Sequence, residues 1–225
     1  MELRCPCVSP GPPGMVADGY KFAAGPLFAA FVAVVCARIF ARAIWFDAAA
    51  VFFLFLGLFV LYFFRDPDRR IPADPDAVVS PADGRVVVVT PEQLDGEPGQ
   101  RISIFLSVFD VHVNRAPVSG TITSLDYRRG SFHGALFERA SSENEQNVIR
   151  LSTPRGEMEF KQIAGLIARR ILFWKERGQT VNMGDRVGMI RFGSRVDVWL
   201  PRAAEIVVRP GDTVRGGSTI LARWK

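Results

Sequence analysis

The sequence predicts a mainly β protein that follows a pair of apolar N-terminal helices. Three observations carry this. From Val78 onward the chain breaks into short runs of β-branched and aromatic residues, separated by turns rich in Gly, Pro and Asp. Two turn–strand units occur twice: Pro81-Ala-Asp-Gly84-Arg-Val86 matches Pro117-Val-Ser-Gly120-Thr-Ile122, and Gly184-Asp185-Arg-Val187 matches Gly211-Asp212-Thr-Val214. Ahead of them, residues 22–64 are Phe-rich and carry few charges. Matched units of this kind suggest a small barrel or sandwich with internal pseudo-symmetry.

Taken in order, residues 1–21 read as a disordered leader. Met1 to Gly14 is rich in Pro, Gly and Cys and lacks the charged start and small-residue cleavage site of a signal peptide. A start at Met15 is an expectation that N-terminal sequencing checks. Residues 22–64 form the expected membrane-anchoring region. Phe22–Ala37 is apolar but short for a span, whereas Ile44–Phe64 has about the length that a ~30 Å hydrocarbon core requires. Trp45 and Tyr62 stand near its ends, as interfacial anchors do, and its one charge, Asp47, lies near its start. A soluble helix pair would need a polar face, which this run lacks. Arg65, Arg69 and Arg70 outweigh Arg38 and Arg42, favouring a cell-membrane protein with its C-terminal domain on the cytoplasmic face. The Pro- and Asp-rich stretch 65–77 is a linker. The β domain, 78–225, has strand composition at Val86–Val89, Ile102–Leu106, Val148–Leu151, Ile163–Ile171, Val196–Leu200 and Ile206–Val208. A helix is predicted over Phe132–Asn147.

The formal net charge of +5 attracts polyanions, either nucleic acid or anionic lipid. No basic run with interleaved aromatics and no RNP-like spacing occurs, so the reading takes lipid and no nucleic acid. The cysteines, Cys5, Cys7 and Cys36, all precede residue 78, so no disulfide framework is expected in the β domain; Cys5-Pro-Cys7 lacks the companions of a metal site, and no metal is predicted. The paired turns resemble those of biotinyl- and lipoyl-type hammerhead domains. That leaves a membrane-anchored adaptor or carrier as an alternative function. A carrier needs a modifiable lysine at a hairpin tip, and the turns Ala82-Asp83-Gly84 and Val118-Ser119-Gly120 contain none.

Ser194, in Phe192-Gly193-Ser194-Arg195-Val196, offers distinctive chemistry. Gly193 leaves its carbonyl open to attack, and the Ser194 hydroxyl is placed for an N→O acyl shift. Elimination from the resulting ester would break the chain and leave dehydroalanine, which hydrolyses to a pyruvoyl group and ammonia. Such a reaction needs a base and donors for the oxyanion. The histidines are His112, in Phe109-Asp-Val-His-Val-Asn-Arg115, and His133, in a loop after Gly130-Ser-Phe132. His112 is the better candidate base, against the plain reading of a satisfied core residue. Asp83 and Asp110 are the candidate carboxylates to orient it, against the plain reading of Asp83-Gly84 as a turn.

Ser80-Pro-Ala-Asp-Gly84, Phe109-Asp-Val-His-Val-Asn-Arg-Ala-Pro117, Ser142-Glu-Asn-Glu145 and Arg191-Phe-Gly-Ser-Arg-Val196 occur in this order. Together they resemble the short bacterial and archaeal form of the phosphatidylserine decarboxylases, from about Phe64 to Lys225. The resemblance implies a proenzyme that cuts itself at Gly193-Ser194 into a β chain (1–193) and an α chain (194–225) that stay associated. It implies that Ser194 becomes a covalent pyruvoyl cofactor, which condenses with the amine of phosphatidylserine and supports its decarboxylation to phosphatidylethanolamine. Asp83 and His112 become the proton-handling pair. Longer members carry a second histidine where this chain has Arg115, so its duty would pass to His112. Another serine lipid, such as an archaeal ether lipid, is an alternative substrate, and a homo-oligomer is compatible with this reading.

Overall fold

The computed structural model describes residues 14–40, 43–166, 170–191 and 193–225. They fall into two compact units, the residues up to Asp68 and Arg69–Lys225. Of the expected leader, residues 1–13 lie outside the described residues.

In the first unit, strand β1 (Gly14–Met15) leads into helix α1 (Ala17–Ile39), and helix α2 (Ala43–Phe63) leads into strand β2 (Arg65–Asp66). The strands pair antiparallel and close the hairpin, with Val16 N donating to Phe64 O at 3.0 Å. Gly57 lets the helices approach: a Cβ there would meet the side chain of Leu27. Both helices are long and apolar enough to cross a membrane. The first starts at Ala17, ahead of the apolar run, so it gains the length that Phe22–Ala37 alone lacks. Phe28, Phe31, Phe52 and Phe55 point outward, a pattern suited to hydrocarbon and unfavourable in water. At the end of α2, the Arg65 guanidinium stacks on Tyr62 at 3.7 Å.

The second unit is mainly β, as expected. Its strands are β3 (Ala77–Val79), β4 (Gly84–Leu94), β5 (Glu97–Leu106), β6 (Val113–Arg115), β7 (Gly120–Arg128), β8 (Gln146–Thr153) and β9 (Gly156–Ile163). They continue with β10 (Arg170–Phe173), β11 (Thr180–Val181), β12 (Arg186–Arg191), β13 (Ser194–Pro201), β14 (Ala204–Ile206), β15 (Thr213–Val214) and β16 (Ile220–Trp224). An antiparallel sheet in the order β11-β7-β8-β9-β13-β5-β4-β15 curls into a half-barrel. Smaller sheets, β10-β12-β6 and β14-β16-β3, complete it. Ile102, Ile104, Ile149, Leu151, Phe160, Val198 and Leu200 fill the interior; each fully buried side chain of this kind contributes about 1.5–3 kcal/mol.

Three expectations of secondary structure need correction: the strand expected at Ile206–Val208 is β14, Ala204–Ile206, which ends where that run begins. The segment 132–147 is not a helix but a loop with one short helical turn, α3 (Ala140–Glu143), running into β8. Asn144 fixes the loop: its side chain accepts from His133 N at 2.9 Å and donates to His133 O at 2.8 Å. A helix could not offer both backbone groups of residue 133. The predicted strand Ile163–Ile171 is two strands, β9 and β10, separated at Ala164–Leu166.

The internal repeat is real, but its second element runs in another register. Val214 faces Gly84 across β15 and β4, and Val181 faces Gly120 across β11 and β7. The equivalent of Gly211–Val214 is therefore Gly178–Val181, six residues before the match that short motifs suggest. The hydrogen bonds agree. Gly211 N donates to Val86 O and Gly178 N to Ile122 O, both at 2.8 Å. Gly217 N donates to Ser80 O and Gly184 N to Ala116 O, again both at 2.8 Å. The halves meet reciprocally, with Val79 N donating to Pro117 O and Arg115 N to Pro81 O. Ile71 lies where the halves meet, against both Gly184 and Gly217.

Candidate active site

The chain passes from the small sheet containing β12 into the large sheet containing β13 between Arg191 and Ser194. This corner contains the expected cleavage site. Gly193 has φ +60°, a region that costs a side-chain-bearing residue about 1–2 kcal/mol. Ser194 begins β13, opposite Leu106 of β5. It is fully buried, and its Oγ has no hydrogen-bond partner among the described residues. A buried unsatisfied hydroxyl costs about 1–3 kcal/mol, so its retention calls for an explanation in function.

The Gly193 carbonyl lies against Gly165, where a Cβ would collide with the carbonyl oxygen. Sequence reading missed Gly165 because nothing nearby in the chain marks it. The Ser142-Glu-Asn-Glu145 segment holds it in place. Asn144 Nδ2 donates to Ala164 O at 2.7 Å, and Ala164 N donates to Glu145 O at 2.9 Å. The Glu145 carboxylate is in turn bonded by Tyr127 Oη. A Gly165→Ala variant is expected to keep the fold but shift the Gly193 carbonyl. The expected cut at Gly193-Ser194 should then slow by about tenfold or more, because each ~1.4 kcal/mol lost in aligning the carbonyl for attack is tenfold in rate. Its time course on a denaturing gel checks this; an unchanged rate would remove Gly165 from the site.

His112 is fully buried and lies near the same corner: its carbonyl accepts from Ile190 N at 3.3 Å, in the strand that leads to Gly193. Its Nδ1 lies 2.9 Å from Asp110 O. A carbonyl can only accept, so Nδ1 carries a proton, and in the neutral form of the ring the lone pair lies at Nε2. The backbone of Asp110 thus holds one side of the ring. The Asp110 carboxylate instead caps its own turn, accepting from Ser107 N at 2.8 Å and Ser107 Oγ at 2.7 Å.

Asp83 is held by two groups. Arg69 Nη2 donates to both its carboxylate oxygens, at 2.9 and 2.8 Å, and Gly216 N donates to Oδ1 at 2.8 Å. In the other half-repeat Ser119 takes the same place, its Oγ accepting from Met183 N at 2.9 Å. The position is a turn cap in both halves, and in one of them it also fastens the linker residue Arg69. Arg115, at the place of the longer members' second histidine, donates to Gly184 O at 3.1 Å. His133 Nε2 lies 3.0 Å from the Glu143 carboxylate.

On the opposite face of β13 runs a buried charged network. Arg195 donates to Asp197 Oδ1 at 2.7 Å and to Ser103 Oγ at 2.6 Å. Asp197 also accepts from Ser141, and from Arg101 at 3.3 Å. Arg101 reaches on to Glu92 and Glu138. Burial works against the Arg101 charge, but Glu138, Asp197 and Glu92 outweigh it and raise its pKa. Burial likewise raises Glu138, and the stronger pull of Arg101 and Arg195 leaves it below the ordinary glutamate range.

The sequence model of the family "Phosphatidylserine decarboxylase" matches residues 56–222. That span includes every residue of this corner. The chain belongs to this family. A "Phosphatidylserine decarboxylase proenzyme" of Solibacter usitatus is 53% identical over 174 residues, 77% of this chain and 83% of that protein. A protein of the same name from Magnetococcus marinus is 42% identical over 217 residues, 94% of this chain and 96% of that protein. The phosphatidylserine decarboxylase family is a family of enzymes.

Proposed function

We propose that this chain is a proenzyme that opens its own Gly193–Ser194 bond, converts Ser194 into a pyruvoyl group and decarboxylates phosphatidylserine to phosphatidylethanolamine. The observation that carries this is the Ser194 hydroxyl, buried without a partner among the described residues, directly after a glycine at φ +60°. Attack of Oγ on the Gly193 carbonyl carbon breaks the amide C–N bond and leaves an ester with a free Ser194 amine. Loss of the Ser194 Cα proton then expels the Gly193 carboxylate and leaves dehydroalanine. Its imine tautomer takes up one water and releases ammonia, leaving the carbonyl at residue 194.

His112 Nε2 is the proposed acceptor for the Ser194 proton, with its ring held by the Asp110 carbonyl. Asp83 is the proposed second member of the proton-handling pair, its carboxylate held by Arg69 and by Gly216 N. The pyruvoyl group fits at residue 194 because it occupies no more space than serine; when formed, it supplies an electron sink for the pair left by departing CO2. The two chains would stay together, since β13 lies between β5 and β9, β15 pairs with β4 and β16 with β3. The apolar helices support a membrane location, and the arginines after α2 favour a cytoplasmic catalytic unit.

Intact mass under denaturing conditions tests the reading. Two chains are expected, the lighter matching 194–225 less one ammonia and reactive toward hydroxylamine, together with CO2 release from phosphatidylserine. A single chain without a reactive carbonyl would return the protein to the adaptor reading. A His112→Ala variant should slow cutting, turnover or both by about 10²–10⁴-fold. Parent rates in both assays would remove His112 from the mechanism.

A further inference from the structure

Phe109, Leu136, Phe137 and Leu166 are the most exposed large apolar side chains described in the Arg69–Lys225 unit, at 63%, 60%, 59% and 65%. They lie far apart in sequence but share one neighbourhood. Leu136 and Asp110, the neighbour of Phe109, line the same groove of about 760 Å³. Ala135 packs beside Gly165, the neighbour of Leu166, and Gly165 lies against the Gly193 carbonyl. A single exposed apolar residue is ordinary; four around one candidate cleavage site form a patch that needs a partner.

The charges beside the patch indicate which partner. Arg129 and Arg139 are exposed at the two ends of the loop that carries Leu136, and the Arg139 guanidinium lies 5.4 Å from the Phe137 ring; Arg128 is taken by Asp126 at 2.8 Å, while of the loop's acids Glu138 is bonded by Arg101 and Glu143 lies 3.0 Å from His133. Cations beside an apolar tip match an anionic leaflet, with headgroups above and acyl chains below. We propose that this rim is a membrane contact of the catalytic unit, distinct from the apolar helices, that seats in a phospholipid leaflet so that an anionic headgroup reaches residue 194 from the bilayer. The proposal rests on the lipid-substrate reading.

The test uses full-length, processed enzyme in phosphatidylcholine proteoliposomes. Phe109→Ser, Leu136→Ser and Leu166→Ser are combined, and two substrates are compared: long-chain phosphatidylserine in the same bilayer, and dihexanoyl phosphatidylserine supplied from water as monomers. The variant is expected to lose about tenfold or more in kcat/KM on the bilayer substrate and stay within about twofold on the soluble one. Equal activity with the parent on both would overturn the proposal, and so would an equal loss on both, which would assign these residues to the site itself. Should the triple variant fail to fold, a polarity-sensitive dye on Leu166→Cys, with the native cysteines replaced by serine, decides. Quenching by bromine-labelled acyl chains is expected. A dye left unquenched, or shielded only as protein concentration rises, would overturn the proposal, the second result pointing to another copy of the chain. A parent inactive on both lipids would count against the decarboxylase reading, and the dye would still decide the rim.

Discussion

A Ser194→Ala variant is expected to remain a single chain, to show no carbonyl reactive toward hydroxylamine and to release no CO2 from phosphatidylserine. The expected loss is complete, because the substitution removes both the nucleophile that opens the chain and the atoms that become the carbonyl. The fold should not suffer. The Ser194 Oγ is buried and makes no hydrogen bond among the described residues, so its removal takes away an unmet polar group. Removing such a group is neutral or stabilising, by up to about 1–3 kcal/mol. The variant should therefore melt at or above the temperature of uncut parent, which separates a chemical role from a structural one. An Ser194→Ala chain that is still cut at residue 193 and still active would end the pyruvoyl reading.

The largest loss of stability is expected from Arg195→Met. The Arg195 side chain is 0% exposed and its partner Asp197 2%. Breaking a buried pair by removing one partner costs about 3–5 kcal/mol, since the other charge stays behind. For a chain of this size that is a fall in Tm on the order of 10 °C. Arg195→Lys should recover little, because an ammonium cannot bond Asp197 and Ser103 at once as the planar fork does. Replacing Arg195 and Asp197 together by apolar residues should recover much of the loss. A single substitution within about 0.5 kcal/mol of the parent would show that the network carries no net stability. Acid should weaken the same region. The Glu138 pKa is depressed in the folded chain, so its contribution is present above the unfolded value of about 4.3 and is lost as pH falls through the folded value.

Much of this arrangement is legible in the sequence because it is local. The strands at Val86–Val89, Ile102–Leu106, Val148–Leu151 and Val196–Leu200 are found where alternation and β-branching place them. Apolar helices are equally plain, since length and hydropathy define them. What the sequence hid depends on distant partners. The 132–147 loop has helix-compatible composition, but Asn144 bonds to His133 and Ala164 override it. The repeat register was ambiguous because Gly-x-x-Val or Gly-x-x-Ile occurs twice in each copy, at Gly178 and Gly184 and at Gly211 and Gly217. Only strand pairing decides between them. Gly165 and the Arg195 network gain their meaning from the strands that lie beside them in space.

The two half-repeats differ in one respect. The half built on Gly120 is completed by Gly178–Gly184, which precedes Gly193, whereas the half built on Gly84 is completed by Gly211–Gly217, which follows it. Cutting at Gly193 would leave the first half as one chain and make the second half a joint between two. The precursor could then fold by a concentration-independent route, but the mature enzyme, once fully unfolded, could reassemble only by an encounter of two molecules. Maturation would act as a ratchet: durability after the cut would depend on how slowly the joint opens, and dilution would make each opening permanent.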